Sequence, residues 1–324
     1  MDYKPKPIEL VNENPHAKLI DIDSSGLVLT FVDWNIGYAG LNAEMDFFYS
    51  GGTKVYPDEA TVRNNLDGIK DFLSNYPDAD FILLQEVDSS SRRSWFTNQP
   101  AEISEKFSDY HSSFGVNYQV PFVPMPISKP MGTVLSGVFT LSRYEPFEVM
   151  RHSFEGNFSW PTGVFMLDRA FLVNRYFLST GKELVVVNTH NSAYDDGSLR
   201  KRQMDQLSTF LNEEFHKGSF VIVGGDWNQC PPNFQPNFAV DSMDNISRMD
   251  ISEDFLIGWR WAYDNTEPTN RRNHIPYQPK LTPTTVIDFY LLSPNIELIS
   301  VKNIRLNFKY SDHQPAILQV KLRP

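Results

Sequence analysis

At 324 residues, with 41% hydrophobic and 21% charged residues and 24 Phe beside 14 Tyr, the chain has the composition of a folded protein and excludes a disordered one. Its formal net charge of −11 disfavours indiscriminate attraction to polyanions, because Lys and Arg supply most non-specific nucleic-acid affinity, and it leaves room for a local basic cleft. The single cysteine, Cys230, excludes an intrachain disulfide and any zinc site built from several cysteines.

Residues 1–26 open with the Pro- and Lys-bearing MDYKPKPIEL and continue through VNENPH. They predict an extended tether ahead of one domain spanning 27–324. The opening has no apolar signal core, and the chain has no apolar run long enough to span a bilayer. Localisation stays open between a soluble protein and one exported or tethered through a leader that preceded Met1.

Apolar runs bounded by polar turns then recur in order. LVLTFVDW (27–34), DFILLQEV (80–87), GVFTLSR (137–143), RAFLVNRYFL (169–178), ELVVVNTH (183–190) and SFVIVGGD (219–226) read as strands. The later strands are IDFYLLS (287–293), IELISVKNIRL (296–306) and AILQVKL (316–322). Between them, Pro57 and Asp58 start a helix with Val62, Leu66, Ile69, Phe72 and Leu73 on one face. A second helix over 197–218 presents Leu199, Leu207, Phe210, Leu211 and Phe215 and stops at Gly218. Strands outnumber helices, which predicts packed sheets with helices outside.

Several apolar runs end in polar, oxygen-bearing or imidazole side chains: Asn35, Glu86, His190, and Asp226 with Asn228. Alone, an Asp or Asn after a strand is best read as a turn former. Together, without cysteines, they form a donor set that suits Mg²⁺, which prefers carboxylate and carbonyl oxygens and keeps waters for a phosphate substrate. Glu86 is the best single ligand candidate. Asp288 in IDFYLLS and Asp312 with His313 in YSDHQPA add further carboxylates and a possible Asp–His pair.

The ordered series DWNIG, LLQEVD, LSR, NTH, GGDWN, IDFYLLS and SDHQP resembles the endonuclease/exonuclease/phosphatase superfamily, which has the deoxyribonuclease I-like fold. The resemblance extends from about Val28 to Leu322. It implies an α/β (α+β) fold, a four-layer αββα sandwich of two packed mixed β-sheets with helices outside. It also implies a divalent-metal-dependent phosphoesterase, using Mg²⁺ or Mn²⁺, that attacks a phosphodiester or phosphomonoester in line with activated water.

By the same resemblance, Asn35, Glu86 and Asp312 stand at the positions around the metal. His190, Asp226, Asn228, Asp288 and His313 stand at the catalytic ones. Arg169 resembles a basic position near the site, although an arginine at a strand start is commonly a surface ion-pair residue. Trp160, in NFSWPTG, is a candidate substrate-binding residue, and the apolar loop VPFVPMP (120–126) is a second place to grip a base or a lipid chain. Where some abasic-site endonucleases carry an aspartate two places after the first asparagine, this chain has Gly37.

Trp34 and Trp227 flank the ligand candidates and are expected to pack as core. No amphipathic hairpin suited to membrane insertion is visible. There is no GxxxxGK[ST] loop, HExxH pair or GxSxG elbow. The expected substrate is nucleic acid, a lipid headgroup or a small phosphate ester, handled by a monomer without an obligate protein partner. A catalytically idle module that binds phosphorylated ligands or proteins on the same fold is the alternative.

Overall fold

The continuous apolar runs are buried on both faces, and the period-two alternation of a strand divides each run between two cores. In the computed structural model, which describes residues 5–156, 168–192, 198–238 and 249–324, the first half comprises β1 (Ile8–Glu13), β2 (Leu27–Asn35), α1 (Glu59–Leu73), β3 (Phe81–Asp88), α2 (Gln99–Lys106), β4 (His111–Val123), β5 (Gly132–Ser142) and β6 (Glu148–Ser153). The second half comprises β7 (Ala170–Phe177), β8 (Glu183–His190), α3 (Ser198–His216), β9 (Phe220–Asp226), β10 (Arg260–Ala262), β11 (Asn270–Arg271), β12 (Thr284–Thr285), β13 (Asp288–Leu292), β14 (Ile296–Asn303) and β15 (Ala316–Leu322).

One sheet has seven strands in the order β1-β6-β7-β8-β9-β13-β10, and the other has six in the order β14-β15-β2-β3-β5-β4. Both are mixed, because β8 runs parallel to β9 and β2 parallel to β3 while their other pairings are antiparallel. Between the sheets, Leu29, Phe31, Phe81 and Leu83 meet Leu184, Val186, Ile222 and Tyr290. The intervening residues face outward. Val32, Trp34, Ile82 and Leu84 pack under Val62, Leu66 and Ile69 of α1 and Ile103 of α2. Val185, Val187, Val221 and Val223 pack under Leu207 and Leu211 of α3. Helix, sheet, sheet and helix make the four layers expected from the sequence.

The start of α1 is set by Asp58, whose carboxylate accepts from Thr61 N at 2.7 Å, an N-cap that satisfies an orphan donor. The expected tether needs correction: from Ile8 onward the N-terminal segment is part of the structure. Ile8–Glu13 pairs antiparallel with β6 as the edge strand of the seven-stranded sheet, and Ile20 and Ile22 are buried in the inter-sheet core. The unpaired edge of β6 supplies ladder donors and acceptors that draw this segment in, whatever its own side chains prefer. Because β1 is almost wholly solvent-facing, its sequence lacks the alternation that marks a half-buried strand.

The apolar segment expected as a loop over 120–126 is strand up to Val123, and residues 124–131 form the loop that closes a long β4–β5 hairpin. Among the described residues, no helix is long and apolar enough to cross a membrane.

Candidate active site

Both sheets deliver polar side chains to one end of the sandwich. In the seven-stranded sheet, His190 pairs in register with Asp226, and Asp226 with Asp288, so three adjacent strands place three ionisable groups in a row. From the six-stranded sheet come Asn35 at the end of β2, Glu86 near the end of β3, and Asp312 with His313 on the approach to β15. The sheets are joined there: Asn35 Nδ2 donates to Asp226 Oδ2 at 2.9 Å and lies 3.4 Å from Glu86 Oε1.

The backbone is strained where the side chains must be re-aimed. The β3–β5 register slips between Leu84 and Val87, and Glu86 adopts φ +52°, unusual for a residue with a Cβ. Gln85 keeps the inter-sheet face of Phe81 and Leu83, while the bulge turns Glu86 towards the cleft and passes Val87 to the helix side. Gln85 Nε2 donates at 2.8 Å to Asp33 Oδ1 and at 2.8 Å to Asn188 Oδ1, a buried polar seam behind the site. Burial, with Asp288 adding, pushes the Asp33 carboxyl well up. Asn228 also has φ +52°; its N–H donates to Asp226 Oδ1 and its side chain to Asn191 O, both at 2.9 Å.

Gly37 is required by two constraints. Its φ is +50°, and an added Cβ would lie 3.0 Å from Ser311 Oγ and 3.1 Å from Asp312 Oδ1. An aspartate there would press a carboxylate against Asp312. Gly37 N–H donates to Asn35 Oδ1 at 3.0 Å, which orients the amide so that its NH₂ faces the two carboxylates and leaves the oxygen one free lone pair.

His313 is held on every side. Its Nδ1 lies 3.0 and 2.9 Å from the two oxygens of Asp288, its N–H donates to Ser311 Oγ, and Trp34 Nε1 donates to its carbonyl at 3.0 Å. Trp227 plays the matching role in the other sheet, donating to Phe289 O at 2.9 Å and stacking on its ring. Both tryptophans are fully buried, as expected for packing residues.

The two histidines are driven to opposite states. Burial pushes the His190 ring well down, and the positive charges of Arg169, His313 and Arg93 add to the effect. Burial acts the same way on His313, but Asp288, Asp226 and Asp312 outweigh it and hold that ring well above its ordinary value. Asp226 Oδ2 lies between them, 3.4 Å from His190 Nε2 and 3.9 Å from His313 Nε2.

Burial, with Glu86 beside it, lifts Asp312 to about 6, and burial lifts Asp288 to about 6 against the opposing charge of His313. Asp312 accepts from Asn273 Nδ2 at 2.6 Å. Glu86, Asp312 and the remaining lone pair of Asn35 are hard oxygen donors, two of them anionic, and their chemistry fits a divalent cation such as Mg²⁺ or Mn²⁺. Asp226, Asp288 and His313 also present ligand atoms within 4.8 Å of one another, a group that could hold a metal. The His313–Asp288 hydrogen bonds satisfy part of that group without one.

Thus Asn35, Glu86, His190, Asp226, Asn228, Asp288, Asp312 and His313 share one end of the sandwich. Arg169 precedes β7 and is near enough to His190 for its charge to bear on that ring. Trp160 lies outside the described residues. Residues missed in the sequence come from TNRRN (269–273). Thr269 Oγ1 accepts from Asp288 N at 3.1 Å, Asn270's amide is 3.0 Å from His313 Nε2, and Asn273 holds Asp312. The run's density of Asn and Arg was the available signal. Arg93, buried against Asp88 at 2.9 Å and 3.8 Å from the centre of the Tyr38 ring, carried no signal beyond an ordinary charged turn.

Two packed mixed sheets with a polar, carboxylate-rich end define an α+β sandwich of the deoxyribonuclease I-like class. The profile of the Endonuclease/Exonuclease/phosphatase family matches residues 34–313, and the chain belongs to that family. Its members are phosphoric ester hydrolases that generally use divalent metals.

The fold is similar to that of an endonuclease/exonuclease/phosphatase from Beutenbergia cavernae, with TM-score 0.61 and 17% identity over 91% of this chain and 72% of that one. It is also similar to D. rerio TDP2 solved with a single-strand DNA product, with TM-score 0.57 and 14% identity over 90% and 98%. A third similar structure is ANGEL2, described as a 2',3'-cyclic phosphatase, with TM-score 0.59 and 14% identity over 93% and 97%. Comparison with curated protein sequences finds no match.

Proposed function

We propose that the chain is a divalent-metal-dependent phosphoesterase that hydrolyses a phosphodiester or phosphomonoester bond by in-line attack of water. The observation that carries this reading is the convergence on Asp226: one carboxylate oxygen faces the amide of Asn35 and the two oppositely biased histidines. Glu86 and Asp312, with Asn35, would hold the cation. Bound there, it would supply positive charge to a phosphoryl oxygen as charge develops.

The remaining chemistry belongs to the side chains. His313, kept protonated by three carboxylates and fixed through Nδ1, presents Nε2 as a charged donor to a phosphoryl oxygen. An imidazolium donates from both nitrogens, so in that state the Asn270 amide turns its oxygen to the ring and substrate oxygen competes for the same donor. Asn228 and the neutral His190 add donors that carry no extra charge into the site. Asp226, already oriented by Asn35 and Asn228 N–H, takes the proton of the attacking water.

The test is hydrolysis of bis-p-nitrophenyl phosphate with Mg²⁺ or Mn²⁺, with and without chelator, by wild type, Glu86→Ala and His313→Ala. The expected result is metal-dependent turnover lost in both variants. An absence of metal-dependent turnover on any phosphoester would overturn the reading in favour of an idle binding module.

A further inference from the structure

The ribbon of β11 and β12 brings residues 269–273 against the approach to β15, and one of its side chains bears directly on a candidate ligand. Asn273 Nδ2 donates to Asp312 Oδ2 at 2.6 Å, and both residues are buried. An ionised carboxylate only accepts, so the nitrogen of the amide must be the atom that faces Asp312. The other carboxylate oxygen is not engaged in this way. Asp312 Oδ1 lies 3.5 Å from Ser311 Oγ, and the single hydroxyl proton of Ser311 goes to Asn35 O at 2.8 Å.

Oδ1 is also the oxygen on the side of Asn35. Both flank the same residue: Gly37 N–H donates to Asn35 Oδ1 at 3.0 Å, and a Cβ on Gly37 would meet Asp312 Oδ1 at 3.1 Å. Asn273 therefore occupies one oxygen of Asp312 and leaves the one beside the Asn35 amide oxygen.

The Asn273 side chain is not needed to hold the ribbon in place, because other bonds do that. Arg271 N donates to Asp312 O at 3.0 Å, and Gln314 N to Thr269 O at 2.6 Å. The buried Arg271 guanidinium ties down the loop before α1 through Asn42 O at 2.7 Å and Met45 O at 3.0 Å. Phe47 N donates to the Asn273 carbonyl at 2.6 Å, a bond that any residue at this position would keep. What is left to the side chain is the occupation of Asp312 Oδ2.

That occupation bears on the choice of cation. Ca²⁺ takes about six to eight oxygens in a flexible shell and accepts both oxygens of one carboxylate, whereas Mg²⁺ demands near-octahedral order and keeps several waters. An aspartate with one oxygen already committed offers a single ligand atom. Its backbone, bonded to the ribbon at Asp312 O, does not let the carboxylate swing round to give two.

We propose that Asn273 is a specificity-determining residue for the cation: by holding Asp312 Oδ2 it limits Asp312 to one ligand atom and selects Mg²⁺ or Mn²⁺ over Ca²⁺. This rests on the reading of Asn35, Glu86 and Asp312 as the cation site of a phosphoesterase.

The test is isothermal titration of wild type, Asn273→Ala and Asn273→Leu with Mg²⁺, Mn²⁺ and Ca²⁺, beside turnover of bis-p-nitrophenyl phosphate with each ion. Wild type is expected to prefer Mg²⁺ and Mn²⁺. In both variants Mg²⁺ affinity should fall about tenfold to a hundredfold, the usual cost of removing a residue that holds a ligand. Affinity for Ca²⁺ should hold or rise, so the ratio of the two shifts at least about tenfold. A purely structural loss would weaken all three ions together. Wild-type crystals soaked in Mn²⁺ require no variant to fold, and should show Oδ1 alone of Asp312 on the ion with Asn273 still on Oδ2.

A wild type that prefers Ca²⁺, an unchanged ratio in the variants, or both Asp312 oxygens on the Mn²⁺ ion would overturn the role of Asn273, while wild-type metal binding and turnover still uphold the phosphoesterase. Wild type that binds none of the three ions would instead overturn the metal reading itself, and the selectivity with it.

Discussion

His313 Nδ1 stands 3.0 and 2.9 Å from the two carboxylate oxygens of Asp288, both residues being buried. The pairing fixes the ring and favours its charged form. Asp288→Asn keeps the size of the partner but removes its charge, so turnover should fall by about a hundredfold to ten-thousandfold with little change in KM. Steady-state kinetics measures this, and NMR titration should show the His313 ring moving back towards its ordinary range. An unchanged kcat would remove the pair from the mechanism.

Chelation should abolish turnover, and Mg²⁺ or Mn²⁺ should restore it. Glu86→Gln replaces an anionic ligand by a neutral amide and should raise the half-saturating metal concentration at least about tenfold. Isothermal titration with Mg²⁺ reads the same effect without activity.

Because the Asp312 carboxyl is lifted to about 6, protons compete with the cation in a range accessible to assay. The carboxylate is the ligand and protonation removes it, so metal affinity should weaken as pH falls through about 6. Metal titrations at pH 5 and pH 7.5 would test this; equal affinities would exclude Asp312 as a ligand.

Gly37→Ala should cost about 1–2 kcal/mol for the left-handed backbone alone, because φ is +50° there. The added methyl also approaches Asp312 Oδ1 at 3.1 Å, so metal affinity should drop together with stability. Urea unfolding and metal titration separate the two effects. A variant as stable and as tightly metal-binding as wild type would contradict the close approach.

His152 lies stacked on Phe171, with ring centres 4.8 Å apart, and burial together with Arg175 holds its ring down at about 4. The folded value is below the unfolded one, so the unfolded chain binds the extra proton between the two. The stability contributed above pH 6.5 is therefore lost as pH falls from 6.5 towards 4, by up to about 3 kcal/mol. His152→Phe keeps the stacking and should flatten that part of the pH–stability curve, measured by urea unfolding at pH 4.5 and pH 7.

Much of this was legible in the chain itself. Runs such as ELVVVNTH are apolar at consecutive positions because both faces of β8 are covered, and their polar last residues stand at the cleft. Glu86 could be singled out as a ligand candidate from its place at a strand end, but not the bulge and positive φ that aim it. Ile8–Glu13 was illegible as a strand because its partner, not its side chains, makes it one. Asn270 and Asn273 were missed because their roles depend on a short ribbon that brings residues 269–273 against Asp312 and His313.

By itself, the sequence determined the two-face burial of the strands, the helices that cover them and the set of ionisable residues at strand ends, since these depend on local period and composition. Only the tertiary structure decided how that set works. Register places His190, Asp226 and Asp288 side by side, Asn35 ties one sheet to the other, and unequal numbers of carboxylates around two buried imidazoles drive them to opposite charge states. Those outcomes depend on distances between residues far apart in the chain, and on the dielectric that packing creates around them.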